Sequence, residues 1–230
     1  MKNLILASSG SVHGSGYLTY LLPALKKILV GVKELLFIPY AQPGGLSYHD
    51  YTLLVKKAIK ELPVSIKGIH EYHNPKEAIQ NAQAIYVGGG NTFLLVKTLQ
   101  DLALMNKLKE SILKGTPYIG TSAGTNIAGI SMQTTNDMPI VLPKSLQTLG
   151  IVPFNFNAHY VEPVQNSTHK GETRQTRIQE LQHIEEINVL GLPEGTWLRI
   201  KGNDLFLRGG LEAYWFHNKE KRILSPNSRL

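Results

Sequence analysis

Short apolar runs alternate with longer amphipathic stretches over residues 1–130, and no other feature of the sequence constrains the fold as strongly. Each apolar run has the length of one buried strand, and each amphipathic stretch has the length of one helix. The alternation predicts a mostly parallel sheet, because parallel strands need crossover helices and those helices cover both faces. The candidate strands are residues 4–7, 35–38, 65–69, 84–87 and 118–120, and the candidate helices are residues 17–29, 51–61, 75–81, 92–99 and 102–113.

The pattern changes after residue 130, where the apolar segments are short and turn-forming residues are frequent. Residues 165–186 predict a loop that leads into a basic helix. We find no linker, repeat or low-complexity segment, so the sequence predicts a single α/β hydrolytic domain over residues 1–230, an open, doubly wound, mostly parallel sheet with a small antiparallel C-terminal extension. The predicted extended segments are residues 139–142, 189–192, 197–200, 205–207 and 213–216, of which the last three are predicted to be antiparallel.

Charge and cysteine content exclude several classes of function. The chain carries 24 basic and 17 acidic residues, a formal net charge of +7, without a basic block, so no nucleic-acid partner is predicted. It has no cysteine, which excludes disulfides, thiolate zinc sites and a cysteine nucleophile. No apolar run reaches the ~18 residues of a membrane helix, and the first is too short for a signal peptide. A cytoplasmic protein without membrane contact is therefore predicted.

Residues 120–124 read Gly-Thr-Ser-Ala-Gly and stand between an apolar strand and a stretch of small residues that can begin a helix. This is the context of a Gly-x-Ser-x-Gly nucleophile elbow. Small flanking residues allow the chain to reverse sharply, and the reversal presents the Ser122 hydroxyl at a helix N-terminus. The same five residues also occur as a plain strand-to-helix turn. We predict that Ser122 is the nucleophile of a serine hydrolase.

A second glycine-rich loop, Gly-Gly-Gly-Asn at residues 88–91, also follows an apolar strand and opens a helix. Ligands lie beyond the carboxyl ends of parallel strands, so this loop and the Ser122 elbow are expected to face one crevice. Backbone N–H groups of Gly89 or Gly90, together with that of Ala123, can then form an oxyanion hole. The alternative is a phosphate cradle, but no Lys-Ser/Thr pair follows, and residues 9–16 lack the third spaced glycine of a dinucleotide fingerprint.

A serine nucleophile needs a base, and spacing alone does not choose among the eight histidines. His159 ends an apolar extended run and Glu194 follows another, so both can stand at strand ends. The alternatives are a histidine held by a backbone carbonyl in a turn and a solvated turn carboxylate. The order Ser, His, acid disfavours the α/β-hydrolases, which have Ser, acid, His. His70 and His73 are three positions apart, not the four of a zinc-protease helix, so no metal site is predicted.

Five motifs recur together in one order between about residues 84 and 196: Gly-Gly-Gly-Asn-Thr-Phe at 88–93, Gly-x-Ser-Ala-Gly-x-Asn at 120–126, Thr-Thr-Asn-Asp-Met-Pro-Ile-Val at 134–141, His-Lys-Gly-Glu-Thr-Arg at 169–174 and Gly-Leu-Pro-Glu-Gly at 191–195. In this combination they resemble the peptidase E family, the α-aspartyl dipeptidases. The resemblance implies an open α/β fold similar to class I glutamine amidotransferases, with Ser122 in place of their cysteine. It also implies hydrolysis of small acidic dipeptides, Asp-Xaa, without a metal or cofactor.

By matching motif positions, the resemblance implies a role for each candidate residue. Ser122 corresponds to the nucleophile, His159 to the base and Glu194 to the acid that orients it. The backbone amides of Gly90 and Ala123 correspond to the oxyanion hole.

Two further residues are implied in substrate binding. Arg174 would pair with the aspartate side chain of the substrate, since a guanidinium binds a carboxylate through two parallel hydrogen bonds. The alternative for Arg174 is a surface helix arginine, as expected for Arg177. Asp137 would either orient the histidine or hold the substrate amine, and both roles stay open.

The sequence departs from the family's pattern in two places. Members often carry Trp before the nucleophile, where this chain has Thr121, and residues 42–49 diverge. Both departures concern the shape of the pocket and not the reacting groups.

Two other functions are compatible with the motifs: a cyanophycinase-like hydrolase of β-linked aspartyl-arginine, and a catalytically silent protein that binds a small anion. The presence of Ser122, His159 and Glu194 together favours the enzyme. The oligomeric state is not predicted.

Overall fold

The computed structural model describes residues 1–163 and 170–230. In this part of the chain the strands are β1 (Asn3–Ala7), β2 (Glu34–Ile38), β3 (Ser65–Gly68), β4 (Ile85–Val87), β5 (Tyr118–Thr121), β6 (Asn155–Ala158), β7 (Val189–Leu192), β8 (Trp197–Lys201), β9 (Asp204–Arg208), β10 (Ala213–His217) and β11 (Glu220–Leu224). The α-helices are α1 (Leu22–Ile28), α2 (Tyr48–Ala58), α3 (Pro75–Gln80), α4 (Thr92–Asp101), α5 (Met105–Lys114), α6 (Ala123–Asn126) and α7 (Arg174–Ile184).

Seven strands form the main sheet, in the order β3-β2-β4-β5-β1-β8-β9. The first five are parallel to one another, β8 pairs antiparallel with β1, and β9 pairs antiparallel with β8 at the edge of the sheet. The predicted parallel sheet is confirmed, with strand positions within one or two residues of those expected.

Alternate residues of the parallel strands enter two separate hydrophobic clusters. Leu4 and Leu6 of β1 pack with helices α3, α4 and α5 on one face. Ile5 and Ala7 of the same strand pack with α1 and α2 on the other face. Successive strand residues point to opposite faces, so this division confirms the doubly wound arrangement.

Local hydrogen bonds at the N-termini decide where the helices begin, and some of the helix starts differ from the predicted ones. Asn74 caps α3, its side chain accepting from the N–H groups of Lys76 and Glu77. Helix α2 begins three residues before the predicted start because the Ser47 hydroxyl accepts from the N–H of Asp50. The segment predicted as one helix over residues 17–29 is a 3-10 turn (Thr19–Leu21) followed by α1.

The second sheet has four strands, in the order β11-β10-β7-β6. Strands β6 and β7 are parallel, whereas β10 pairs antiparallel with both β7 and β11. The predicted antiparallel C-terminal extension is therefore divided between the edge of the main sheet and this second sheet. Strand β6 is the apolar extended run that was expected to end at His159, whereas β11 was not among the predicted strands.

One predicted extended segment is wrong. Residues 139–142 form an irregular, mostly exposed stretch with no strand partner among the described residues. The basic helix expected within residues 165–186 is α7, while residues 165–169 lie outside the described part of the chain. Across residues 1–163 and 170–230, no helix combines the length and the apolarity needed to cross a membrane.

Candidate active site

Ser122 stands in the sharp turn between β5 and α6, with φ 52° and ψ −111°. A non-glycine residue rarely adopts a positive φ, so the surrounding contacts must hold this turn. The N–H of Ser122 donates to the carbonyl of Ala7 (3.0 Å), and the Thr125 hydroxyl donates to the same carbonyl (2.6 Å). The end of β1 thus anchors the elbow.

The flanking glycines are required by close backbone contacts. A Cβ added at Gly120 would lie 2.4 Å from the carbonyl oxygen of Gly124, and one at Gly124 would lie 2.2 Å from the carbonyl oxygen of Val87. Neither space admits a methyl group. The Gly-x-Ser-x-Gly spacing is therefore the steric requirement of packing this turn against β4.

The second glycine loop packs directly against the elbow. A Cβ at Gly89 would lie 3.1 Å from Cβ of Ser122, and a Cβ at Gly90, where φ is +138°, would lie 2.2 Å from the carbonyl oxygen of Ala41. The N–H groups of Gly89, Gly90 and Ala123 donate to no acceptor among the described residues. Free backbone donors from two neighbouring loops are what an oxyanion hole requires.

His159 follows β6 with φ 56° and lies between the serine and the glutamate. Its Nε2 is 2.8 Å from Oγ of Ser122, and its Nδ1 is 2.7 Å from Oε1 of Glu194. The parallel pairing of β6 with β7 aligns Ala158 with Leu192, so residues that follow the two strands emerge at the same edge. The three predicted side chains thus form one hydrogen-bonded series.

Ser8, at the end of β1, fixes the backbone beneath this series. Its hydroxyl accepts from the N–H of His159 (2.9 Å) and donates to the carbonyl of Leu192 (2.7 Å). The side chain is buried. It links the main sheet to the two strands, β6 and β7, that lead to His159 and Glu194. Sequence reasoning did not identify Ser8, because no local pattern distinguishes it from any other serine after a strand.

Arg174 begins α7, and its guanidinium donates to the carbonyl oxygen of His159. Burial, followed by the charge of Arg177, lowers the pKa of Arg174 from its ordinary value. Arg177 itself is exposed. The structure therefore places Arg174 beside His159 and not on the open surface of the helix.

Asp137 lies beside the start of α4 and not against His159. Its Oδ2 accepts from the N–H of Thr92 (2.8 Å), the Thr92 hydroxyl (2.5 Å) and the Thr135 hydroxyl (2.9 Å). Of the two candidate acids, Glu194 is the one that contacts the imidazole. Asp137 anchors the N-terminus of α4, and its Oδ1 accepts from no group in the described part of the chain.

A cleft of about 540 Å³ opens beside Ser122 and His159. Its walls include Tyr17, Gln42 and Tyr51, which come from three separate segments before β4. Sequence reasoning did not identify these three side chains as part of the site. The divergence of residues 42–49 was the one signal, and it concerned Gln42 alone. Within residues 1–163 and 170–230, no group of three or more His, Asp or Glu side chains is arranged to hold a metal ion.

Known proteins resemble this chain in both sequence and fold. The sequence model of peptidase family S51 matches residues 4–208. Peptidase E of Streptomyces coelicolor is 44% identical over 215 residues, which cover 93% of this chain and 87% of that protein. A Drosophila melanogaster protein named "Probable alpha-aspartyl dipeptidase" is 43% identical over 219 residues, with coverage of 94% and 90%.

A crystal structure of a peptidase from an acI-B1 Actinobacterium superposes with a TM-score of 0.74 at 18% sequence identity, covering 100% of this chain and 96% of that one. At that identity the likeness concerns the fold alone. It extends through both sheets, including the part that carries His159 and Glu194.

Proposed function

Since this chain belongs to peptidase family S51, we propose that it is a serine dipeptidase that hydrolyses Asp-Xaa through an acyl-enzyme on Ser122. The observation that carries the proposal is the series Ser122 Oγ, His159 Nε2, His159 Nδ1 and Glu194 Oε1, joined at 2.8 and 2.7 Å. A nucleophile, a base and an orienting acid within hydrogen-bond distance are the minimum for activating a serine hydroxyl.

The reaction proceeds in two acyl-transfer steps. His159 Nε2 takes the hydroxyl proton as Oγ of Ser122 attacks the peptide carbonyl, and the N–H groups of Gly90 and Ala123 stabilise the resulting oxyanion. The imidazolium then protonates the leaving amine, and the C–N bond breaks. Water, activated by the same imidazole, hydrolyses the ester and releases aspartate. Glu194 holds the Nδ1–H and stabilises the positive charge on the ring.

Arg174 and Asp137 supply the preference for an N-terminal aspartate. The guanidinium of Arg174 has five N–H donors, so its bond to the His159 carbonyl leaves others for the side-chain carboxylate of the substrate. Asp137 Oδ1 accepts the substrate ammonium, while Oδ2 is fixed by Thr92 and Thr135. The names of the relatives, peptidase E and α-aspartyl dipeptidase, support the same substrate class.

The test measures aspartate release from Asp-Leu by wild type and Ser122→Ala, with EDTA present throughout. Wild type should turn over, and Ser122→Ala should lose about 10⁴-fold or more in kcat. Ser225→Ala, at an exposed position outside the cleft, is the matched control and should keep full activity. Equal rates for wild type and Ser122→Ala would contradict the serine mechanism, and no turnover by wild type would contradict the substrate.

Arg174→Met tests the substrate preference. Removal of the guanidinium should lower kcat/KM for Asp-Leu by about 10²-fold, because the substrate carboxylate then lacks its charged partner. Hydrolysis of Ala-Leu should change much less. Arg177→Met, one helical turn away and exposed, is the control. An equal loss of kcat/KM for both dipeptides would show that Arg174 stabilises the site but does not bind the aspartate side chain of the substrate.

A further inference from the structure

A row of hydroxyl groups runs beneath the glycine loop along one side of the cleft. The Thr121 Oγ1 lies 3.0 Å from the Tyr86 hydroxyl, which lies 2.5 Å from that of Tyr17. The Tyr17 hydroxyl lies 2.8 Å from that of Tyr51, and the Tyr51 hydroxyl reaches the carbonyl oxygen of Gly89 at 3.3 Å. The row therefore joins the residue before the nucleophile to the loop that packs against it.

The carbonyl at the end of the row fixes the direction of every hydrogen bond in it. A carbonyl oxygen only accepts, so the Tyr51 hydroxyl must donate to Gly89. Because each hydroxyl has a single proton, Tyr17 then donates to Tyr51, Tyr86 to Tyr17, and Thr121 to Tyr86. Thr121 stands where members of the peptidase E family often carry Trp, a side chain that could not begin this row through a hydroxyl.

The Gly89 carbonyl has a second donor, Nε2 of Gln42, at 3.0 Å. Across a trans peptide the carbonyl and the following N–H point in opposite directions, so these two bonds also orient the N–H of Gly90. Tyr51 belongs to the hydrophobic cluster on one face of the sheet, whereas Ala123 belongs to the cluster on the other. The N–H of Gly90 is accordingly directed away from Tyr51, toward the side where Ala123 lies.

We propose that Gln42 and the hydroxyl row of Thr121, Tyr86, Tyr17 and Tyr51 are positioning elements of the oxyanion hole, which hold the Gly89–Gly90 peptide so that its N–H faces the reacting carbonyl. This inference rests on the proposed function of Ser122. It assigns a role to two departures from the family pattern, Thr121 and the loop that begins at residue 42.

The loop needs such support because its own residues resist rotation weakly. A peptide between two glycines can turn over at little steric cost, and a reversed peptide would present a carbonyl oxygen to the developing negative charge. Burial raises the pKa of Tyr17, Tyr51 and Tyr86 above the ordinary value, so these phenols stay protonated and act as donors at neutral pH.

The first measurement compares kcat and KM for Asp-Leu in Gln42→Leu, Tyr51→Phe and Thr121→Val. Loss of the Gln42 donor should lower kcat about 10-fold, a fraction of the 10²- to 10³-fold effect of a whole oxyanion donor, and leave KM within about 2-fold. Tyr51→Phe and Thr121→Val should lower kcat less, in that order, because their bonds are longer or more remote. Gln100→Leu is the matched control, since its Nε2 also donates to a backbone carbonyl, that of Ser145, at 2.8 Å.

The second measurement is independent of the aspartyl substrate. A fluorophosphonate forms a bond from phosphorus to Oγ of Ser122 as the P–F bond breaks, and His159 takes the serine proton. The phosphonyl oxygen occupies the oxyanion hole, so Gln42→Leu should slow labelling by about the same factor as it lowers kcat.

The outcomes separate the two proposals. If wild type fails on Asp-Leu but is labelled at Ser122, the substrate proposal fails, and the labelling ratio still tests the positioning role. Unchanged labelling in Gln42→Leu, or a rise in KM with kcat unchanged, overturns the positioning role and makes Gln42 a substrate contact or a bystander. Absence of labelling in wild type overturns both proposals.

Discussion

The two halves of the site are held in different ways. The half that carries Ser122 comes from the main sheet and is sealed from solvent, since Thr121 and Ala123 on either side of Ser122 are fully buried. The proposed base and acid, His159 and Glu194, follow strands of the second sheet and face solvent, with their side chains exposed by 37% and 51%. Close backbone packing, together with hydrogen bonds to the end of β1, fixes the first half, whereas the second half is held by a few directed hydrogen bonds. Damage to the first should therefore cost stability and activity together, whereas damage to the second should cost activity alone.

Gly124→Ala should break the sealed half and give the largest combined effect. Its Cβ would lie 2.2 Å from the carbonyl oxygen of Val87, so β4 and the elbow must separate. We expect a loss of ~3 kcal/mol in the free energy of unfolding, or about 6–12 °C in Tm, with kcat reduced about 10³-fold. Thermal unfolding and Asp-Leu turnover measure both.

Gly210→Ala is the control for this substitution, because a Cβ there meets nothing within 4 Å. It should leave Tm and kcat unchanged. A Gly124→Ala protein with wild-type Tm would contradict the steric account of the elbow.

Glu194→Gln should sharpen the comparison from the exposed half. The amide cannot stabilise the imidazolium, and its NH₂ group favours the wrong tautomer of His159. We expect kcat to fall about 10²-fold while Tm changes by less than about 1 °C, because the side chain is half exposed. Steady-state kinetics and thermal unfolding check the two values.

Glu110→Gln is the matched control for Glu194→Gln. Its carboxylate is similarly exposed (50%) and pairs with Lys107 instead of a histidine. Neither kcat nor Tm should change measurably. A drop of several degrees in Glu194→Gln would mean that the exposed half also carries structural stability.

The smallest expected effect concerns His70, in the main-sheet half, at the turn after β3. Both of its ring nitrogens are buried, and neither has a hydrogen-bond partner among the described residues. Burial lowers the pKa of His70 in the folded state. Between that pKa and the ordinary value of about 6.5, the unfolded chain binds more protons, so stability rises with pH and is lost on acidification.

His70→Phe should remove this contribution. The fall in Tm from pH 7.5 to pH 5 should shrink by about 2 °C relative to wild type, as followed by thermal unfolding at the two pH values. His73→Phe, at an exposed position three residues away, should leave the acid-induced fall in Tm as it is in wild type. An unaltered fall in His70→Phe would mean that burial of His70 has no acid-linked cost.

Local sequence patterns were sufficient for much of the fold. Apolar runs at strand spacing placed β1 to β5, since a strand buried on both faces must be apolar throughout. The same reasoning missed β11, which reads Glu-Lys-Arg-Ile-Leu, because an exposed edge strand carries charge. It also wrongly predicted a strand at residues 139–142, where apolar side chains remain exposed in an irregular stretch.

The sequence by itself determined the elbow, because only glycine fits the close backbone contacts at residues 120 and 124 on either side of Ser122. It did not determine which acid serves His159. That choice depends on the parallel pairing of β6 with β7, which brings Glu194 to the imidazole, while Thr92 and Thr135 hold Asp137 elsewhere. Ser8 and Gln42 likewise acquire their partners only in the folded chain, because hydrogen bonds between distant segments leave no periodic trace in the sequence.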